Sequence, residues 1–311
     1  MQIQFIAPFE RAYNRMKSAL FQPFDLHKWM VVGFTAFLAD LLDGGGGGGN
    51  GFKKQSAGDW GAILSGPYEA LDWLKAKPEW MLLILFGGLA VLALVLICLW
   101  LSSRGKFMFL DNVVQDRALV SRPWHQYRDL AHSLFRWRVA FLAAILLLAG
   151  GTLYHIWRIA YARWTESGDL WALLPSLLVW GAFFAVVVLA LGYIKLLLDH
   201  FIVPLMYKHT LTCTQAWERF LPLHWRHLGS FVLYALFILA IIIALGVLVI
   251  LGGLFTCCIG FILLIIPYIS SVVLLPFSYW IRTFSLEFLA QFGDEFSLQT
   301  GHPVEETAIP Q

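Results

Sequence analysis

The residues best suited to chemistry are few, and they gather at the ends of apolar runs. Lys195 and Asp199 stand four apart, and His200 follows Asp199 directly. On a helix this spacing puts ammonium and carboxylate on one face, where they can pair. Asp40 closes the first apolar run. Ionisable groups at membrane depth point by default to a substrate or proton path. Asp40, Lys195, Asp199 and His200 therefore form a candidate polar membrane site, with a structural Lys195–Asp199 ion pair as the simpler reading. No chain of acidic residues runs through the apolar stretches, as a proton pump needs. No second broken helix mirrors this one, as an inverted-repeat transporter requires.

The second candidate is the run Gly44, Gly45, Gly46, Gly47, Gly48 and Gly49, continued by Asn50 and Gly51. Successive amides there could form an anion nest; a flexible linker is the other reading. It is not a phosphate loop, because Phe52 rather than lysine follows Gly51. His224 and His227 have helical ligand spacing, but no cysteine or carboxylate sits at companion spacing for a metal. His155 and Arg158 share a helical face and could meet a headgroup phosphate, or simply reach toward water. Ser103 and Lys106 match S-x-x-K, a pattern too short to carry weight. H-E-x-x-H, G-x-S-x-G and Walker A motifs are absent. No enzyme activity, metal or cofactor is expected.

The elements that must position these residues follow from composition. Of 311 residues, 59% are apolar and 14% charged, with a mean hydropathy of +0.71. Soluble chains average about 45–50% and about 25%, so a soluble enzyme and a disordered chain are both excluded. A net charge of +2 argues against a nucleic-acid partner, which needs a basic face. Cys98, Cys213, Cys257 and Cys258 make neither a disulfide framework nor a zinc pattern and read as apolar fillers. No cleavable leader is expected, since no small-residue cleavage site follows the run that begins near Trp29.

Apolar runs over 80–101, 139–160, 171–198, 229–252 and 254–281 each reach the ~20 residues a membrane crossing needs. The first run, 29–42, is short and crosses only if its helix begins near Phe24. Charge argues that it does. Seven Lys/Arg between Arg104 and Arg138, and four more before the first run, put both segments on the cytoplasmic side. With six spans, 15 of 22 Lys/Arg are cytoplasmic, as are both termini. A re-entrant first run is the alternative. Eight of fourteen tryptophans, Trp29, Trp100 and Trp280 among them, fall near span ends, where amphipathic rings anchor.

The cytoplasmic stretches 8–20, 122–136, 213–228 and 281–292 each pair an apolar stripe with a polar face. Such helices lie in the interface, basic side toward anionic headgroups. Arg11, Arg15, Lys17, Arg122, Arg128 and Arg136 are therefore candidate lipid or partner contacts. Spans 1, 3 and 5 each follow such a stretch, suggesting a threefold repeat of interfacial helix and hairpin. The alternative is that every cytoplasmic approach to a membrane helix selects arginine and tryptophan. Pro267 and Pro276 should kink the last span. Gly87-Gly88, Gly150-Gly151 and Gly252-Gly253 permit close helix contact.

At MKSALFQPFDLHKW, AFLADLLDGGGGGGN, SSRGKFMFLDNVVQDR and IPYISSVVLLPFSYWIRTFSLEFLAQFG the chain resembles an uncharacterised family of bacterial multi-pass inner-membrane proteins. More loosely it is similar to the membrane domains attached to glycerophosphodiester phosphodiesterases and to Yip-type trafficking proteins. This sequence carries nothing like the soluble phosphodiesterase domain, so that activity does not transfer. The resemblance implies a six-span bacterial membrane protein and no known functional residues.

The expected fold is all-α: a polytopic membrane helical bundle of six transmembrane helices plus cytoplasmic amphipathic helices. Residues 1–293 would form one integral membrane domain and 294–311 a polar tail. The expected function is a non-enzymatic scaffold or accessory subunit of the bacterial inner membrane. Its partners would be membrane lipids and other membrane proteins or further copies of itself. A transporter or channel for a small solute or lipid is the alternative. An intramembrane enzyme is third and would need Lys195, Asp199 and a histidine to converge.

Overall fold

A computed structural model describes residues 4–42, 72–73, 75–167, 174–255, 264 and 266–298. The candidate nest Gly44–Gly49, Cys257, Cys258, Trp171 and His302 lie outside the described residues. The elements are α1 (Ile6–Phe21), α2 (Leu26–Ala39), α3 (Pro78–Val114), α4 (Ser121–Gln126), α5 (Arg128–Ser167) and α6 (Leu174–Leu197). After α6 come a π-helical turn (Leu198–Ile202), α7 (Val203–His209), α8 (Cys213–Arg226), α9 (Leu228–Phe255), α10 (Pro267–Val273) and α11 (Leu275–Ala290). Every regular element among the described residues is helical.

Four stretches are long and apolar enough to cross a membrane: Glu79–Val114, Arg128–Ala162, Leu178–His209 and Leu228–Phe255. A fifth arises if α10 and α11, bent by 62° across their break, count as one. α2 has 14 residues and rises about 21 Å, short of a ~30 Å hydrocarbon core.

Two helices outrun the spans expected from apolarity. α3 has 37 residues, so the polar segment after Leu101 continues the same helix. It stops only past Val114, where Asp116 takes a positive φ of 49°. The stretch 122–136 is likewise not one amphipathic helix. It breaks at Tyr127 into α4 and the first turns of α5, a helix of 40 residues. The stretch 281–292 is mostly the second half of α11. Apolarity ends where the solvent changes, whereas a helix ends where its backbone bonds do.

The described chain divides into two compact units. The first comprises Met1–Gly44, Leu99–Trp137 and Lys195–Gln311. Within it α1 lies along α11. Pro8 sits in the first turn of α1, and Ala12, Met16, Ala19 and Leu20 are its buried face. The helix was expected to lie in the membrane interface with its basic side toward headgroups; its apolar face packs on protein, where α11 offers an aromatic surface. Phe9 meets Trp280 and Phe284 at ring distances of 4.4 and 5.7 Å. Asp25 caps α2 by accepting from the His27 amide. A capping box of Thr212 and Gln215 starts α8. Phe201, Phe220, Phe231, Tyr234 and Phe288 form the aromatic core, all fully buried.

The second unit comprises Gly45–Cys98 and Arg138–Ile194. Its helices are apolar and outward-facing: Phe86, Leu147 and Leu189 are 67%, 77% and 71% exposed. His155 stands edge-on to Trp180, 4.5 Å between ring centres.

The close helix contact that Gly87-Gly88 and Gly150-Gly151 permit is not made among the described residues. A β-carbon at Gly87, Gly88, Gly150, Gly151 or Gly252 would meet nothing within 4 Å. Close approach occurs at Gly33 and Gly105 instead. A β-carbon at Gly105 would lie 2.5 Å from the Ala39 nitrogen and the Leu38 carbonyl carbon. One at Gly33 would lie 2.7 Å from a Val272 methyl.

Candidate functional site

The segment Ser102–Val114 is buried at every position although it carries polar residues on several sides. Ser102 Oγ donates to the Ala39 carbonyl and Ser103 Oγ to the Leu99 carbonyl. Lys106, 2% exposed, donates to Asp199 Oδ1 at 2.6 Å. Asp199 lies in the π-helical turn, a geometry that re-aims side chains and recurs at functional sites. Arg282 of α11 donates to the Asp199 carbonyl. His200 Nδ1 stands 2.6 Å from the Tyr234 hydroxyl. Three stretches distant in sequence thus converge on Asp199 and His200.

A second polar cluster lies on the same helix. Asp111 is fully buried. Arg117 grips both its oxygens at 2.8–3.0 Å. The hydroxyls of Tyr127 and Tyr207 donate to Oδ1 at 3.0 and 2.9 Å. Burial pushes the Tyr127 phenol far up, with Tyr207 and Asp111 adding to the shift. A carboxylate held by an arginine and two phenols has few lone pairs left for a further donor. One residue on, Asn112 closes the following loop by donating to the Leu119 carbonyl and accepting from the Leu119 amide.

Of the candidate polar membrane site, Asp199 and His200 are brought together. Lys195 is exposed in the last turn of α6, and Asp40 is exposed at the end of α2. Among the candidate lipid contacts, Arg11 pairs with Glu287 at 2.8 Å. Arg15 donates to the Val113 and Val114 carbonyls, closing the C-terminal end of α3. Lys17, Arg122, Arg128 and Arg136 are exposed. His224 is buried against Phe220 and Phe231, and His227 lies against Phe292. Among the described residues, no three His, Cys, Asp or Glu gather as a metal site.

Lys106, Asp111, Arg117, Tyr127, Tyr207 and Arg282 were not singled out as site residues by sequence reasoning. Polar residues on several sides of 102–114 suit water as well as enclosing protein, so the sequence carried no signal that separates the two.

An all-helical membrane protein, with several helices apolar enough to span a bilayer and a polar layer locked at one end of α3, is the class these features define. The chain belongs to a family of unknown function, DUF7544, which it matches over residues 4–276. No curated protein matches the chain. No solved structure matches it.

Proposed function

We propose that the chain is a non-enzymatic, six-span protein of the bacterial inner membrane, with both termini cytoplasmic, acting as a scaffold or accessory subunit. The observation that carries this reading is the outward apolar surface. In the four long spans, 0–11% of the most apolar window is buried within the chain. Such faces belong against lipid or other membrane proteins. The polar residues of α3 meanwhile bond to neighbouring helices and to the loop that follows, which ties together a cytoplasmic end. Six crossings require α2 to span with local thinning of the bilayer and the bent α10–α11 pair to cross as one.

Topology tests the membrane part. In a variant without native cysteines, Lys75→Cys should react with an impermeant maleimide on spheroplasts. Lys17→Cys should react only after permeabilisation. Labelling of both from outside overturns the orientation. Excision of the protein in native nanodiscs tests the scaffold part. A reproducible assembly heavier than one 35.2 kDa chain is expected, and a solitary chain overturns it.

The transporter reading draws on Asp199 in the π-helical turn beside Lys106. It requires solute uptake by proteoliposomes that Lys106→Met abolishes.

A further inference from the structure

Between α3 and the first turns of α5, inside the first unit, lies a recess of about 500 Å3 lined by Trp100, Asp129, His132, Phe135 and Arg136. Asp129, His132 and Arg136 recur at helical spacing and so share a face of α5. Arg104 abuts the recess through His132. It is 7% exposed, and its guanidinium lies between the rings of Trp100 and Trp124, 4.6 and 4.5 Å from their centres. Stacking of this kind favours the cation.

The hydrogen bonds of Arg104 are incomplete. Nη1 donates to the Trp124 carbonyl at 3.3 Å, and Nη2 to His132 Nε2 at 3.4 Å. A guanidinium only donates, so Nε2 of His132 accepts and Nδ1 is left as the ring's donor. Among the described residues, the buried Nε of Arg104 has no partner. Arg136 and Asp129 are the arginine and the carboxylate that line the recess, and the Arg104 cation stands directly behind His132.

We propose that this recess binds the phosphate of an anionic lipid headgroup, with Arg136 and His132 as donors and Arg104 as the buried charge that abuts His132. Guanidinium groups match phosphate oxygens in geometry and charge. Trp100 and Phe135 supply the apolar wall. Trp100 also stands where the exposure of α3 changes. Leu94 and Ile97 are 61% and 55% exposed, whereas Leu99 is 6% and Ser102 fully buried. A headgroup at this level leaves its acyl chains beside the outward apolar surface. The inference deepens the membrane-scaffold reading, since it takes that surface to be lipid-facing.

The test uses the full chain purified in dodecyl maltoside and three probes. Dioctanoyl phosphatidic acid carries phosphate and tails, glycerol 3-phosphate the phosphate alone, and dioctanoylglycerol the tails alone. Phosphatidic acid should bind at least tenfold more tightly than either of the others. Arg136→Glu, on an exposed side chain, should weaken it at least tenfold, and His132→Ala should weaken it without changing fixed charge. Equal binding of phosphatidic acid and dioctanoylglycerol, or indifference to Arg136→Glu, overturns the site. Glycerol 3-phosphate binding as tightly as phosphatidic acid assigns the recess to a soluble phosphate ester and overturns the lipid source. Binding in detergent does not depend on span number or orientation, so its failure is distinguishable from failure of the topology test.

Discussion

Lys106 and Asp199 meet at 2.6 Å across 93 residues of chain, with side chains 3% and 15% exposed. Removing two charges from water costs several kcal/mol per ion, and the pair recovers this only while both partners remain. Lys106→Met should therefore destabilise the protein by about 3–5 kcal/mol. Lys106→Met with Asp199→Asn should cost at least about 1 kcal/mol less than the sum of the single changes. Melting temperatures of the four proteins in one detergent close the cycle, and simple additivity would show that the pair is uncoupled.

Asp111→Asn keeps the shape of the second cluster and removes its charge. Arg117 then loses its counter-ion, and the two phenols lose a charged acceptor. A loss of about 3 kcal/mol is expected, read as a lower melting temperature. A melting point unchanged from the parent would assign the cluster no stabilising role.

Gly105 and Gly87 make a matched pair of tests. A methyl at Gly105 meets backbone atoms of Leu38 and Ala39, which cannot swing aside, so α2 and α3 must part. Gly105→Ala should cost about 1–3 kcal/mol or more. Gly87→Ala meets open space and should stabilise its helix by about 0.5–1 kcal/mol. Thermal unfolding of both separates close packing from helix propensity.

Burial lowers the His224 imidazole from its ordinary value of 6.5. A lowered folded-state value means that the unfolded chain takes up the proton first. The contribution is present in full above pH 6.5 and is lost as the pH falls from there through the lowered value. His224→Phe should flatten the fall in melting temperature over that acid window. A parallel pH profile in the variant would exclude His224 as its source.

The thiol of Cys213 is 1% exposed and pushed up to about 12 by burial. The thiolate is the reactive form, so native protein at pH 7.5 should leave Cys213 unalkylated by iodoacetamide, and denatured protein should not. Peptide mapping by mass spectrometry reads the difference.

Local signals carried well from sequence to structure. The stretch 8–20 folds as the helix Ile6–Phe21 and 213–228 mostly as Cys213–Arg226, because a helical apolar stripe is written within a few turns. Contacts made across the chain did not carry. Asp199 was matched with Lys195, its neighbour on the helix, while Lys106 reaches it from α3. No periodicity encodes a meeting between residues so far apart. The length of α3 was misjudged for a related reason. Polar residues after Leu101 resemble the end of a span, yet here they are solvated by other helices instead of water. Enclosure of a polar helix is a property of the assembled fold.

The pairing of α1 with α11 also sets an order of events during synthesis. Arg11 and Glu287 are 276 residues apart, and the amide of Gln291 bonds the backbone of Gln4 in both directions. A ribosome adding about 5–20 residues per second delivers the partner of α1 roughly 14–55 seconds after α1 itself. Until then α1 can bond to α2 and to the end of α3, but the face that α11 covers lacks that partner. α1 is thus made long before the helix that covers it, so truncation within α11 should release α1.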